Sequence, residues 1–265
     1  MSGERIFRVA RGGAGETARY QEYRVPEGDR VTVLDGLLHI HRYLDRTLAF
    51  RYNCRAMMCG TCGLRVNGTE RLACSTRLSA VPGRTVIVEP LRHLPLIQDL
   101  MVDFEPFFDA WRQVKPAFVP ARAPRESGQA PDESVRVPDE PARIAPDAPE
   151  RQVIDRHREC ISSAICYSAC EVVSVSPEFL GPAAMTRALC LITDSRGGAR
   201  EERLDLLNGE RGCWRCHTHT TCSELCPKGL DPTAAIEQVK RILVRRSLLK
   251  LVGVYRPAAS ESSRT

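Results

Sequence analysis

The feature that most constrains this chain is a cysteine pattern that occurs twice with the same spacing. Cys160, Cys166 and Cys170 form C-x5-C-x3-C, and Cys216, Cys222 and Cys226 repeat it 56 residues later. Proteins that hold two cubane iron–sulfur clusters use C-x2-C-x2-C-x3-C runs, in which the fourth cysteine of each run ligates the other cluster. On that template each run lacks its second cysteine, and Ser163 and His219 stand in the two slots. Crossed ligation ties the runs together, so such a chain must fold with its two cysteine segments packed against each other.

Ten of the 12 cysteines fall into clusters with iron–sulfur spacing, leaving Cys190 and Cys213 outside them. Clustered cysteines in a chain without a secretory start point to metal rather than to a disulfide framework. The opening residues, MSGERIFRVARGG, lack the apolar stretch of a signal peptide. No uncharged apolar run reaches the ~18 residues of a membrane span. The expected place is therefore the cytosol, or the cytosolic surface of a membrane. With 265 residues, 43% hydrophobic and 27% charged, the chain has room for two modest domains. A net charge of +5 without a reading motif argues against nucleic acid as a partner.

The N-terminal part carries a separate cluster of cysteines. Cys54-x4-Cys59-x2-Cys62, with Cys74 beyond, has the spacing of a plant-type [2Fe–2S] centre. Four thiolates must converge on two irons, and Gly60 and Gly63 beside Cys62 allow unusual dihedrals and close backbone approach. Amide groups freed in such a loop can point at the sulfides, and Arg51, Arg55, Arg65 and Arg71 stand nearby. Zinc also binds four cysteines, but the asymmetric loop with an isolated fourth ligand argues against it. Residues 6–9 and 20–25 read as strands, 34–44 as a helix, and 86–88 as a closing strand. Residues 63–66 followed by Asn67-Gly68 read as a hairpin. Gly13-x-Gly15-x-x-Ala18 matches a loose dinucleotide fingerprint, but a strand follows it and no long helix, so it reads as a turn.

Residues 1–115 thus read as a small α+β unit, and 116–150 as a linker. Eight of the 18 prolines lie in that linker, which is too poor in apolar surface to fold alone. Residues 151–265 read as helical, with helices expected over 151–170, 182–195 and 231–251. The last has Asp231 as N-cap and Pro232 at its first position. Ile236, Val239 and Leu243 give it an apolar stripe. Lys240, Arg241, Arg245, Arg246 and Lys250 form an outer face that is either solvated or set against acidic headgroups or an acidic partner.

Crossed ligation sorts the paired runs into two sets. Cys160, Cys166 and Cys226 have Ser163 in their gap; Cys170, Cys216 and Cys222 have His219. Ser163 can ligate iron through its alkoxide oxygen, a hard ligand that should lower the reduction potential, or stand aside. His219 can bind a fourth iron through imidazole, as His does in Rieske centres, or only fill space. A cubane with three protein cysteines can also rest as [3Fe–4S]. Cys213 is a candidate substitute ligand, and Cys190 reads as a small buried hydrophobe.

Taken together, these motifs resemble the iron–sulfur subunit of succinate dehydrogenase and fumarate reductase. The likeness includes YNCRAMMCGTCG at 52–63, LRHLPLIQDLMVD at 91–103, PEFLGPAA at 177–184, DSR at 194–196 and CSELCPKGLDP at 222–232. The resemblance implies an α+β N-terminal domain of β-grasp, plant-type ferredoxin-like fold, followed by an all-α bicluster ferredoxin-like domain. It also implies a relay. A flavoprotein partner with covalent FAD interconverts succinate and fumarate, and electrons pass through [2Fe–2S], [4Fe–4S] and [3Fe–4S] to a quinone held against membrane anchor subunits.

By position, the resemblance assigns Cys54, Cys59, Cys62 and Cys74 to [2Fe–2S]. Cys160, Ser163, Cys166 and Cys226 fall to [4Fe–4S], and Cys170, Cys216 and Cys222 to [3Fe–4S]. His217 matches a residue that lies near the quinone in many members. The implied place is peripheral, on the cytoplasmic side of the cell (inner) membrane. The chain itself carries no recognisable flavin or dicarboxylate site. Departures from the family are Ser163 for a cysteine, His219 for an aliphatic residue, Glu171 for a proline and Val175 for a tryptophan. Two other readings stay open here: a divergent paralogue serving another flavoprotein dehydrogenase, and a structural or regulatory metal-binding protein without redox chemistry.

Overall fold

The computed structural model describes residues 3–17, 19–120 and 143–255. The chain opens with the antiparallel strands β1 (Glu4–Arg11) and β2 (Arg19–Pro26) on either side of the glycine turn. Helix α1 (Val33–His39) follows and widens into a π turn over Ile40–Leu44. Its start is fixed by a capping box in which Thr32 accepts from the Asp35 amide and Asp35 accepts from that of Thr32. Strands β3 (Gly63–Val66) and β4 (Thr69–Leu72) form the expected hairpin, with Asn67 and Gly68 at φ +48° and +79°.

Strand β5 (Thr85–Glu89) completes a five-stranded mixed sheet of order β2-β1-β5-β3-β4. It is the last strand of the sheet in sequence but lies at the centre, parallel to β1 and antiparallel to β3. Central strands need apolar side chains facing the core, and Phe7, Val9, Val86 and Val88 are fully buried. Helix α1 covers them with Val33, Leu34 and Leu37. It can lie so close because Gly36 has no side chain; a Cβ there would fall 2.3 Å from the Phe7 ring.

Two short strands, β6 (Leu96–Gln98) and β7 (Met101–Val102), and the helix α2 (Glu105–Gln113) lead out of this region. The second half comprises α3 (Pro149–Arg158), α4 (Ile165–Ser168), α5 (Glu171–Val175), α6 (Gly181–Thr193), α7 (Arg200–Asn208), α8 (Thr221–Glu224) and α9 (Pro232–Leu251). The helix expected over 151–170 is broken. Segment α3 stops at Arg158, and Ser162 and Ala164 then take φ of +53° and +57°, which no right-handed helix contains. Of the expected linker, residues 121–142 lie outside the described residues, and α3 already begins at Pro149.

Helix α6 is buried along most of its length and acts as the axis on which α3, α7 and α9 pack. A continuous hydrophobic core runs from Phe7 in the sheet, through Phe107 on α2 and Tyr167 on α4, to Leu243 on α9. Polar clamps reinforce this junction. Buried Glu70 on β4 accepts from the Ser168 hydroxyl at 3.0 Å and from Arg92 at 3.1 Å, and Ser168 accepts the Arg92 amide at 2.8 Å. Arg203 on α7, 1% exposed, donates to the carbonyls of Val114, Lys115 and Ala117. Among the described residues, no helix is long and apolar enough to cross a membrane.

Candidate iron–sulfur centres

The first cysteine loop wraps backbone amides around a sulfur. Cys54 Sγ accepts from the amides of Ala56, Met58 and Cys59 at 3.4, 3.3 and 3.3 Å. Left-handed Arg55 and Met57, at φ +58° and +57°, turn those amides inward. Such a cradle stabilises a thiolate and the added charge of a reduced cluster. Cys62 is buried beside Cys74, and the Ala73 amide bonds its carbonyl at 2.9 Å. Burial, with Cys74 close by, pushes the Cys62 thiol up to about 12. Burial also acts on Cys59, but hydrogen bonds from Thr61 and Cys54 outweigh it and bring that thiol down to about 6.

The duplicated runs share a backbone as well as a spacing. Ser162 and Ala164 in the first correspond to Thr218 and Thr220 in the second, and all four have φ between +53° and +62°. Each run then enters a four-residue helix, α4 or α8, that carries its next cysteine. In the second run the Thr218 amide bonds the leading sulfur, Cys216, at 3.5 Å, and in the first the Ser162 amide draws the Cys160 thiol down against its burial. The slots occupied by Ser163 and His219 lie between the two left-handed residues of each run.

Two hollows separate the runs into mixed sets. The first is lined by Cys160, Ser163, Cys166 and Cys226, with Phe107 and Pro227 among its walls. The second is lined by Cys170, Cys216 and Cys222, with His217, His219 and Thr233. Burial raises the thiols of Cys160, Cys166, Cys170 and Cys222; at Cys166 the neighbouring Cys160, Cys222 and Cys226 add to it. Thiolates crowded in a dry site need cationic charge between them, so this donor set fits iron–sulfur clusters. Among the described residues, no three His, Cys, Asp or Glu side chains gather as they would around a single metal ion. A cluster asks for a wider ring, because its thiolates meet different irons.

The remaining expected residues fall as follows. Ser163 is buried in its hollow, whereas His217 and His219 are exposed and stacked at 6.0 Å between ring centroids. Cys213 is fully buried, pushed up to about 11 by that burial, and lines neither hollow. Cys190 is buried, with its thiol 3.6 Å from the Ile154 carbonyl. Val175 is exposed, and Glu171 lies 3.8 Å from Arg92.

Two supports escaped the sequence reading. Thr233 Oγ1 lies 3.3 Å from Cys222 Sγ, and Lys240 donates to the Cys216 carbonyl at 3.0 Å. Lys240 therefore faces the second run, and Arg246 is buried against Glu201 and Asp205, so the outer face of α9 is less basic than its sequence suggests. The position of Thr233 beside the helix cap was the available signal; nothing in the sequence distinguished Lys240 from its neighbours.

Comparison with known proteins agrees with this chemistry. Residues 5–109 match a family model described as a 2Fe-2S iron-sulfur cluster binding domain, and residues 156–230 one described as a 4Fe-4S dicluster domain. The fumarate reductase iron-sulfur subunit of Mycobacterium tuberculosis is 38% identical over 234 residues, 88% of this chain and 89% of that protein. The mitochondrial succinate dehydrogenase [ubiquinone] iron-sulfur subunit 1 of Oryza sativa subsp. japonica is 36% identical over 224 residues, 84% of this chain and 75% of that protein. Among solved structures, a chain of the Mycobacterium smegmatis Sdh1 complex in its apo form superposes with a TM-score of 0.79 at 27% identity, covering 94% of this chain and 98% of that one.

Proposed function

The chain belongs to the iron–sulfur subunits of succinate dehydrogenase and fumarate reductase, and from that premise we propose how its three cysteine groups divide the work. It is an electron-transfer subunit of an oxidoreductase, with [2Fe–2S] and [4Fe–4S] chemistry. In our reading Cys54, Cys59, Cys62 and Cys74 hold the [2Fe–2S] cluster in a β-grasp domain spanning 1–115. Cys160, Cys166 and Cys226 hold [4Fe–4S] with Ser163 as its oxygen ligand, and Cys170, Cys216 and Cys222 hold [3Fe–4S], both within an all-helical domain over 151–265. The observation that carries this division is the pair of hollows, each lined by cysteines from both runs. The clusters supply one-electron chemistry; the chain positions them, buries their thiolates and aims amides at their sulfurs.

Electrons enter from a flavoprotein subunit bearing FAD at the [2Fe–2S] end and leave toward a quinone near the [3Fe–4S] end. His217, exposed at the rim of the second hollow, is the proposed quinone neighbour, with exposed His219 beside it as a space filler. Membrane anchor subunits hold the complex on the cytoplasmic side of the cell membrane. Anaerobic affinity isolation from native membranes tests the assembly. A flavin-bearing subunit that interconverts succinate and fumarate is expected to co-purify. Recovery of the chain with a flavoprotein inactive on both acids, or with none, would overturn the reading.

A further inference from the structure

Gly60 and Gly63 sit on either side of Cys62, and both face the loop that carries Ser163. A Cβ placed on Gly60 would lie 2.6 Å from the Ile161 carbonyl oxygen, 3.0 Å from Ser163 Cα and 3.1 Å from Ser163 Cβ. One placed on Gly63 would lie 3.1 Å from the Ser163 carbonyl oxygen and 3.3 Å from Leu91. Ordinary van der Waals contact begins at 3.4 Å, so a methyl at Gly60 would drive the loops apart by about 0.8 Å and one at Gly63 by about 0.3 Å.

Neither loop can yield by turning a side chain. The nearest atom in each case is a backbone carbonyl oxygen. The 161–164 loop is pinned by two left-handed residues and by Ser168, which is bonded to Glu70 and Arg92 across the junction. Gly60 is itself left-handed at φ +72°, so it suits its place on two counts, conformation and volume. Close backbone approach was legible beside Cys62, but what approaches is the neighbouring cluster's loop. Ser163 is therefore met by both glycines of the first cysteine loop, and it also lines the first hollow.

We infer that Gly60 and Gly63 are positioning residues for electron transfer, holding the first two clusters at a separation that any side chain would widen. The inference rests on the cluster assignment proposed above. In the step concerned, one electron leaves the reduced [2Fe–2S] cluster, which is oxidised, and reduces [4Fe–4S]; no bond is made or broken and no proton moves. Tunnelling weakens exponentially with distance, so even a sub-ångström retreat is felt.

The test compares the anaerobically purified full chain with its G60A, G63A and G83A variants. Gly83 has φ +79° with nothing within 4 Å of a Cβ, so G83A carries the backbone penalty without the clash. Dithionite supplies the electrons. The readouts are iron and sulfide content and the microwave power saturation of the reduced [2Fe–2S] EPR signal, before and after reduction of the second cluster. In the unmodified chain and in G83A, reduction of the second cluster should speed relaxation of the first. That enhancement should fall in G63A and fall further in G60A, at unchanged iron content. Full enhancement in a loaded G60A or G63A overturns the inference, as does an equal loss in G83A. If G60A fails to load its first cluster, G63A decides by the same criterion. An unmodified chain lacking a second paramagnet would instead refute the cluster assignment itself.

Discussion

At Ser163 a hydroxyl stands in a ring of thiols, 8% exposed and flanked by Cys160, Cys166 and Cys226. A hard oxygen ligand lowers a cluster's potential relative to thiolate, so Ser163→Cys should keep a complete cubane and raise its potential. Ser163→Ala should lose one iron and add a second oxidised three-iron EPR signal to the one expected from the second hollow; iron content and spectra identical to those of the unmodified chain would make the serine a bystander. A second residue-scale prediction concerns pH. Asp45 is held below the usual carboxylate range by hydrogen bonds from Thr47, then from Tyr23 and from Arg11 at 2.6 Å. Its folded pKa lies below the unfolded value of about 4, so the unfolded state binds more protons in that window. The stabilisation is complete above the unfolded pKa and fades as pH falls below it. Asp45→Asn should flatten the acid limb of a denaturation profile, and an unchanged limb would count against this cluster.

Among the elements, the cysteine spacing was legible because ligands must recur at fixed intervals, and the hairpin because Asn67-Gly68 is chemically specific. The break between α3 and α4 was not legible. The residues that make it, Ser162 and Ala164, are ordinary helix-tolerant types, and their left-handed conformation is set by how the loop packs. Nor does anything in the sequence mark Arg203, which is buried on α7 and gathers three carbonyls at the end of the first half. Truncation would leave the buried Val114 carbonyl without its donor, remove the tie to Lys115 and Ala117, and empty the fully buried space that the arginine fills. Arg203→Ala should therefore cost roughly 2–4 kcal/mol, measured by chemical denaturation of the anaerobic protein. A change within about 0.5 kcal/mol, typical of surface sites, would show that the clamp carries no weight.

For the molecule as a whole, the order of the sites follows from how the two halves share a core. The first loop touches the Ser163 slot, Cys166 borders the first hollow with Cys170 and Cys222 close behind it, and the second hollow opens beside His217. A route from one end of the chain's chemistry to the other thus runs through contacts already present in the protein fold. The family was readable from motifs, because cluster chemistry tolerates few spacings, and with it the coarse order of a mixed sheet followed by helices. The joint between the halves was not, since it depends on Glu70, Ser168 and two glycines whose partners are distant in sequence. The most direct measurement is iron analysis with EPR of the anaerobically purified chain, oxidised and then reduced. Three clusters predict about nine irons per chain, a three-iron signal when oxidised, and [2Fe–2S] and [4Fe–4S] signals when reduced. Zinc in place of iron, or about two irons with no signal from the paired runs, would contradict it.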